Sequence, residues 1–180
     1  MLLRQKTRHD SGNNCNNLAT NGQAFLPATP VRFRLLLAVQ FICTFCAALF
    51  AGAALYINVA EHPARMSCET SVAVKQWALS YRRATWLQAP LALLGFAAGL
   101  TAWLLGASVV WLAAALLIGA VVPFTFIAVM RTNKKLLAPD RDLASPETRA
   151  LLEKWGKLHA VRTVLSLVAT VLCIWLLVRV

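Results

Sequence analysis

Four polar side chains lie close together in the sequence at the end of a long apolar stretch. They belong to Asn58, Glu61, His62 and Arg65. On a helix the first three share one face, at positions i, i+3 and i+4, and Pro63 is expected to end or kink that helix. An unpaired polar group at the edge of hydrocarbon is costly, so each of these groups needs a partner. The rest of the chain must supply the partners.

A second histidine, His159, gives this stretch two kinds of possible chemistry. His62, His159 and the Glu61 carboxylate make a two-histidine, one-carboxylate set that could bind iron or copper and leave positions open for oxygen. Without a metal, either imidazole could act as a general base, because imidazole titrates near neutral pH. Which of the two applies depends on how the helices place these side chains.

A structural interpretation is open as well. In that case the same groups only satisfy one another where helix ends meet. Glu61 would pair with Arg162 or Arg82. His62 would form a hydrogen bond with Asn133. Such pairing would need no ligand and no reaction.

The composition indicates an integral membrane protein. Of the 180 residues, 59% are hydrophobic and 14% are charged, and the mean hydropathy is +0.62. Soluble domains are closer to about 45–50% apolar and about 25% charged. The net charge of +11 does not indicate nucleic acid, because basic flanks are ordinary beside membrane spans and no soluble domain carries them. The expected partner is the lipid bilayer.

Four apolar segments are each close to the roughly 20 helical residues that cross a bilayer. They cover residues 35–60, 85–105, 109–130 and 158–178. We predict an all-α fold, an integral membrane four-helix bundle over residues 31–180, preceded by a disordered tail over residues 1–30. Short interfacial helices are expected in the loop between spans one and two and in the loop between three and four. The second should begin with Ser145 as N-cap and Pro146 after it.

Four consecutive crossings bring the end of span one, the start of two, the end of three and the start of four to one side. Most polar residues of the apolar segments fall on that side. We therefore predict a polar pocket at one end of the bundle. Its substrate-binding residues are expected to be Asn58, Glu61, Gln88, Asn133, Trp155 and Arg162, and its catalytic residues His62 and His159. No metal ligands are assigned.

The basic residues predict the orientation of the bundle. Two thirds of the 18 Lys and Arg residues flank the polar side, and loops rich in these residues stay in the cytoplasm. We expect a multi-pass protein of the bacterial inner-membrane type whose pocket opens on the cytoplasmic side.

Small and aromatic residues indicate how the spans pack. Gly95 and Gly99 match GxxxG, and Ala48 with Gly52 forms a similar small pair, which suits close helix contact within the chain or between copies. The oligomeric state stays open. Trp residues at span ends are typical of interface anchors, although stacking on a planar ligand is an alternative. The three that fall there are Trp77, Trp86 and Trp155.

Several short stretches carry a family resemblance. They are AGAALYINVAEHPAR at residues 51–65, Trp86-Leu-Gln-Ala-Pro90, Thr132-Asn133 with Leu136, and Trp155-Gly-Lys-Leu-His159-Ala-Val-Arg162. Over residues 35–178 the chain resembles the anthrone-oxygenase-like family of small four-helix membrane proteins, long known as a domain of unknown function. The resemblance supports the fold more than the reaction. A few fungal members are linked to oxidising an anthrone to an anthraquinone, whereas most bacterial members have no established activity.

The resemblance implies a cofactor-independent oxygenase for an anthrone-like or other lipophilic aromatic substrate. His62 or His159 would take a proton from an activated methylene, and oxygen would trap the carbanion. Arg162 or Gln88 would stabilise the enolate oxygen. Two alternatives stay open: a non-catalytic membrane binding or scaffold protein, and a metal-dependent membrane oxidase that uses iron or copper.

Overall fold

The computed structural model describes residues 30–179, which form four long helices. They are α1 (Pro30–Met66), α2 (Thr70–Leu104), α3 (Val109–Leu136) and α4 (Pro146–Val178). Each is long and apolar enough to cross a membrane. Over the described range there is no strand, and the predicted all-α four-helix bundle is confirmed. The predicted tail at residues 1–30 lies outside the described residues except for Pro30, which begins α1.

The helices pack in sequence order around a ring. α1 packs along α2, α2 along α3 and α3 along α4, and α4 closes the ring against α1. The tight connection between α2 and α3 turns at Gly106, whose φ of 92° favours glycine. Ser108 then caps α3 by accepting a hydrogen bond from the Val110 amide. At this same end Arg32 of α1 donates to the Leu105 carbonyl at 3.0 Å.

The predicted interfacial segments are helical, but each is continuous with a long helix. α2 already begins at Thr70, well before the expected start of the second span. No Gly or Pro occurs between Ala64 and Ala89 to interrupt it. In the other loop, Ser145 accepts from the Thr148 amide at 3.2 Å, and Pro146 occupies the first turn of α4. The predicted cap is therefore confirmed, and the helix that it starts continues through the fourth apolar segment.

Two π-helical turns widen the bundle helices at the polar end. They are Ile57–Glu61 in α1 and Thr125–Val129 in α3. In the first, the His62 amide donates to the Ile57 carbonyl. Pro63 follows directly and does not end the helix, which continues to Met66, so the predicted helix end at Pro63 was wrong. The alternative, a kink at Pro63, stays a prediction. The proline lies where a wider turn already changes the backbone hydrogen bonding, which lets the helix absorb the missing donor.

Small residues bring the helices into contact within the chain. A Cβ at Gly99 would come within 2.9 Å of both Ala115 Cβ and Cys43 Sγ, so this glycine packs α2 against α3 and α1. Gly52 behaves differently, since no described atom lies within 4 Å of its Cβ position. The expected packing of Gly52 within the chain was therefore wrong, and contact between copies stays a prediction. A GxxxG-like spacing alone does not say which way a helix is rotated.

Candidate functional site

The predicted site residues all lie at one end of the bundle, where α1 and α3 finish and α2 and α4 begin. They do not form one constellation there. Three groups can be distinguished by their hydrogen bonds: a histidine held by an amide, an ion pair between α1 and α2, and an arginine beside a cavity. The groups differ in burial and in what they could bind.

His159 is held by Asn58 of α1. Its Nδ1 lies 2.6 Å from the Asn58 side-chain oxygen, which also accepts from the Thr163 hydroxyl at 2.7 Å. The Asn58 amide nitrogen donates to the Gly156 carbonyl at 3.2 Å. Because the Asn58 amide nitrogen already donates to Gly156, the Asn58 side-chain oxygen must face His159. An oxygen can only accept, so the neutral His159 ring carries its proton on Nδ1. Nε2 therefore keeps a lone pair, and His159 is only 1% exposed.

Both site histidines pack against the indole of Trp155. The His159 ring stacks on it at a centroid distance of 4.9 Å, and the His62 ring lies tilted at 5.5 Å. Trp77 meets the same indole edge-on at 5.9 Å. The two imidazoles therefore share an aromatic neighbour at the centre of the polar end.

The described side chains do not fit the metal-binding alternative. In the part of the chain that the structure describes, no three His, Cys, Asp or Glu side chains lie close enough together to hold a metal ion. The Glu61 carboxylate is directed to Arg65 instead of the histidines. A two-histidine, one-carboxylate set is therefore not formed by these residues.

Glu61 and Arg65 form the ion pair of this end. Arg65 Nη2 lies 2.5 Å from Glu61 Oε1, and the same oxygen accepts from the Gln76 amide at 3.1 Å. Arg65 also donates to the Ser80 hydroxyl at 2.9 Å and to the Gln76 side-chain oxygen. The Arg65 side chain is 1% exposed and that of Glu61 is 20% exposed. The pair thus links α1 to the first part of α2.

The predicted pairing of Glu61 with Arg162 or Arg82 was wrong. Arg65 stands four residues after Glu61 on the same helix, which is the favourable spacing for an ion pair. Arg162 is directed to Gln88 of α2, whose side-chain oxygen accepts from its Nη2 at 2.9 Å.

Arg162 is a partly buried cation beside apolar side chains. Its guanidinium lies 5.5 Å from the centre of the Phe50 ring. Its Nε and the amide nitrogen of Gln88 are buried without a hydrogen-bond partner among residues 30–179. No described carboxylate lies within ion-pair distance of Arg162. This group is therefore less satisfied than the Glu61 pair.

Arg162 lines two neighbouring cavities, and His159 lines one of them. The larger, of about 90 Å³, is lined by Arg162, Gln88 and mostly apolar side chains of α1, α2 and α3. The smaller, of about 10 Å³, is lined by Arg162 and Gln88 together with His159 and Trp155. Arg162 and Gln88 thus stand between the histidine and the larger cavity. Phe126 lines the larger cavity and is 66% exposed, so the wall of the cavity reaches the outer surface of α3.

His62 and Asn133 do not join this group. Neither lines either cavity. The His62 ring lies against Gly156, where a Cβ would come within 2.6 Å of its Cδ2. The predicted bond between His62 and Asn133 was wrong, because the ring is directed to α4, and both Asn133 amide atoms lack a partner in the described chain.

The three tryptophans have different surroundings. Trp77 is fully buried and Trp155 nearly so, in the core of the polar end. As interface anchors these two were predicted wrongly. Trp86 is 84% exposed on the outside of the bundle, as an anchor would be.

Two residues of the site were missed in the sequence. Thr163 shares the Asn58 oxygen with His159, and Gly156 makes room for the His62 ring. A helical-face reading could have found Thr163, which stands one turn after His159. Nothing in the sequence marks Gly156 as a contact of His62, because the two residues lie on different helices.

Comparison with known proteins gives the family. A family model described as anthrone oxygenase matches residues 77–172. The chain belongs to the anthrone oxygenase family. The match includes Gln88, Trp155, His159 and Arg162, but it begins after α1 and so leaves out Asn58. No curated protein and no solved structure matches the chain. The family model therefore covers the residues of α2 and α4 that line the two cavities.

Proposed function

We propose that this protein is a membrane oxygenase for a lipophilic phenolic aromatic substrate, with His159 as the base and no bound metal. One observation carries the proposal: a histidine whose Nδ1 proton is fixed by Asn58 lines a small cavity together with Arg162 and Gln88. A base and donors for a developing oxyanion are the two parts that proton removal next to a carbonyl requires.

The chemistry balances with oxygen as the co-reactant. His159 Nε2 would take a proton from the methylene beside the rings, and the electron pair of the broken C–H bond would delocalise as an enolate. Arg162 and Gln88 would donate to the enolate oxygen. The carbon would then bond to O₂, and the resulting peroxide anion would take the proton back from His159 to become a hydroperoxide. Loss of water from the hydroperoxide breaks its O–O bond and the remaining C–H bond of the same carbon. The methylene becomes a ketone, one O₂ is consumed, and one water is released.

The cavity limits how the substrate can sit. At about 90 Å³ it is smaller than the roughly 150 Å³ apolar cavity that admits a benzene molecule in an engineered protein. Three fused rings therefore do not fit inside the closed bundle. We infer that the reacting part enters beside Arg162 while the remaining rings lie toward the lipid past Phe126. A substrate dissolved in the membrane could enter sideways by this route.

The test is turnover by the purified protein in lipid nanodiscs. Oxygen uptake and anthraquinone formation from an anthrone are followed together, with metal content measured on the same sample. We expect one O₂ consumed for each anthraquinone formed, a rate unaffected by a chelator, and no stoichiometric iron or copper. Stoichiometric metal that is lost in both His62→Gln and His159→Gln would contradict the metal-free reaction. Wild-type turnover no faster than His159→Gln would leave a binding or scaffold protein.

We also propose that the polar end faces the cytoplasm of a bacterial cell. The excess of Lys and Arg on the loops at this end supports the orientation. Cys68 lies exposed in the loop between α1 and α2 and serves as a reporter. In a Cys15→Ser background it should react with a membrane-impermeant maleimide in inside-out vesicles and stay unlabelled in intact cells, whereas labelling of Cys68 in intact cells would reverse the orientation.

A further inference from the structure

Arg65, which is buried, and Arg162, which is partly buried, differ in how their charge is balanced. Arg65 has the Glu61 carboxylate and also donates to Gln76 and Ser80. Arg162 has only the neutral Gln88 oxygen as a hydrogen-bond acceptor within the described chain. A cation among apolar side chains in a membrane protein is costly without a counter-charge. Each arginine has one buried nitrogen without a partner among the described residues, Nη1 of Arg65 and Nε of Arg162. The charge of Arg65, however, is balanced by a described carboxylate, and the charge of Arg162 is not.

The unsatisfied donors lie beside the larger cavity. Arg162 Nε and Gln88 Nε2 are buried and lack a partner among the described residues, and both side chains line this cavity. Gln88 is 2% exposed. Two such donors can both donate to one ligand oxygen, and a negatively charged oxygen would also balance the guanidinium.

An apolar groove continues from this cavity on the outer surface of the bundle. It has a volume of about 400 Å³, runs between α2 and α3, and shares Val122 with the cavity. Its walls include the exposed side chains of Leu93 and Leu116. The groove is also lined by two small residues, Gly119 and Ala120. The groove thus offers room for an apolar body next to the charged cavity.

We propose that this combined site selects a lipophilic monoanion, with its charged oxygen between Arg162 and Gln88 and its apolar body in the groove between α2 and α3. The inference deepens the proposed function and rests on it for the reaction, because it names the charge of the substrate class that the same site takes. The ligand enters with a phenolate or carboxylate oxygen that is already charged and is distinct from the carbonyl oxygen that becomes the enolate. Arg162 is the counter-ion of that charge in the bound state.

Binding can be measured without turnover, which separates this inference from the proposed function. The probes are 9-anthracenecarboxylate and its neutral counterpart 9-anthracenemethanol, titrated by fluorescence into protein in zwitterionic nanodiscs, with empty discs as reference. We expect the anion to bind at least about tenfold more tightly, the usual effect of a hydrogen-bonded charge. Equal affinity for the two probes would overturn the inference. Anion binding without anthrone turnover would contradict only the proposed function.

The decisive variant is Gln88→Glu, which places a carboxylate beside Arg162 with almost no change of shape. The introduced carboxylate should raise the melting temperature, because it balances the partly buried cation. It should also abolish the preference for the anionic probe, because the counter-ion position is taken. A lower melting temperature, or an unchanged affinity for the anion, would contradict the proposed role of Arg162. Arg162→Gln should lower the affinity for the anion and leave that for the neutral probe unchanged.

A second pair of variants tests the groove. Ala120→Trp places a large side chain at a position that lines the groove. It should weaken binding of the anthracene anion about tenfold. Val171→Trp is the matched control, because it adds the same side chain to an exposed position on α4. Equal effects of the two substitutions would remove the groove from the site. Palmitate is the third probe: tighter binding of palmitate assigns the site to a lipid-derived acid, and tighter binding of the anthracene acid to an aromatic one.

Discussion

Replacing His159 with glutamine is expected to slow anthrone oxidation by about 10²–10⁴-fold, the usual contribution of a general base. Glutamine keeps an amide near Asn58 but provides no imidazole lone pair toward the cavity. The matched substitution is His62→Gln, which removes the other histidine that packs on Trp155. His62 lines neither cavity, so its loss should change the rate by less than about tenfold. Comparable losses in the two variants would contradict the assignment of His159.

The role of Asn58 can be separated from that of His159. Asn58 is a positioning residue, because it holds the Nδ1 proton and does not line the cavities. Asn58→Asp still offers an oxygen to Nδ1, whereas Asn58→Leu offers none. We expect the aspartate variant to keep more of the turnover than the leucine variant, with the difference in kcat instead of KM. If both variants lose turnover equally at unchanged stability, the hydrogen bond does not orient the ring.

The largest expected effect on stability is that of removing Glu61. Glu61→Gln leaves the Arg65 guanidinium buried without its counter-charge, at a cost of about 3–5 kcal/mol in the free energy of unfolding. Arg65→Met should cost less, because the remaining carboxylate is 20% exposed and keeps its bond from Gln76. The double variant should be more stable than Glu61→Gln alone. The measurement is unfolding in mixed detergent micelles.

A second ion pair of the same chain is the control for this comparison. Arg141 and Glu147 lie 3.0 Å apart, but the Glu147 side chain is 71% exposed. Glu147→Gln should therefore change the free energy of unfolding by no more than about 1 kcal/mol. If Glu61→Gln has an effect equally small, the buried pair of Glu61 and Arg65 does not hold α1 against α2.

The fold was predictable because the length of an apolar segment is a local property of the sequence. Four segments of about the right length predict four spans. Because two of these spans lie between Asn58 and His159 in the sequence, the two residues must come to the same end of the bundle. The cap at Ser145 was equally local. The extent of each helix was predicted less well, because the length of hydrocarbon crossed says nothing about where helical backbone stops. α2 extends far beyond the apolar segment for this reason.

The partners of the site residues were not predictable in the same way. The prediction for Asn58 and Glu61 assumed a regular α-helix, whereas both residues belong to a π-helical turn, which changes the face that each residue occupies. Trp77 and Trp86 show the same limit. Both stand at a span end, yet one is fully buried and the other 84% exposed. Helix rotation is set by packing against neighbours, which a single segment does not encode.

Anaerobic exchange of methylene deuterium with water tests directly whether His159 removes a methylene proton from the substrate. An anthrone deuterated at the methylene is incubated anaerobically with the protein, and loss of deuterium to water is followed by mass spectrometry. We predict that the wild type releases deuterium well above the rate of His159→Gln, and that a chelator leaves the rate unchanged. The role of His159 as the base is contradicted if the wild type releases deuterium no faster than His159→Gln while it still oxidises the same anthrone in air.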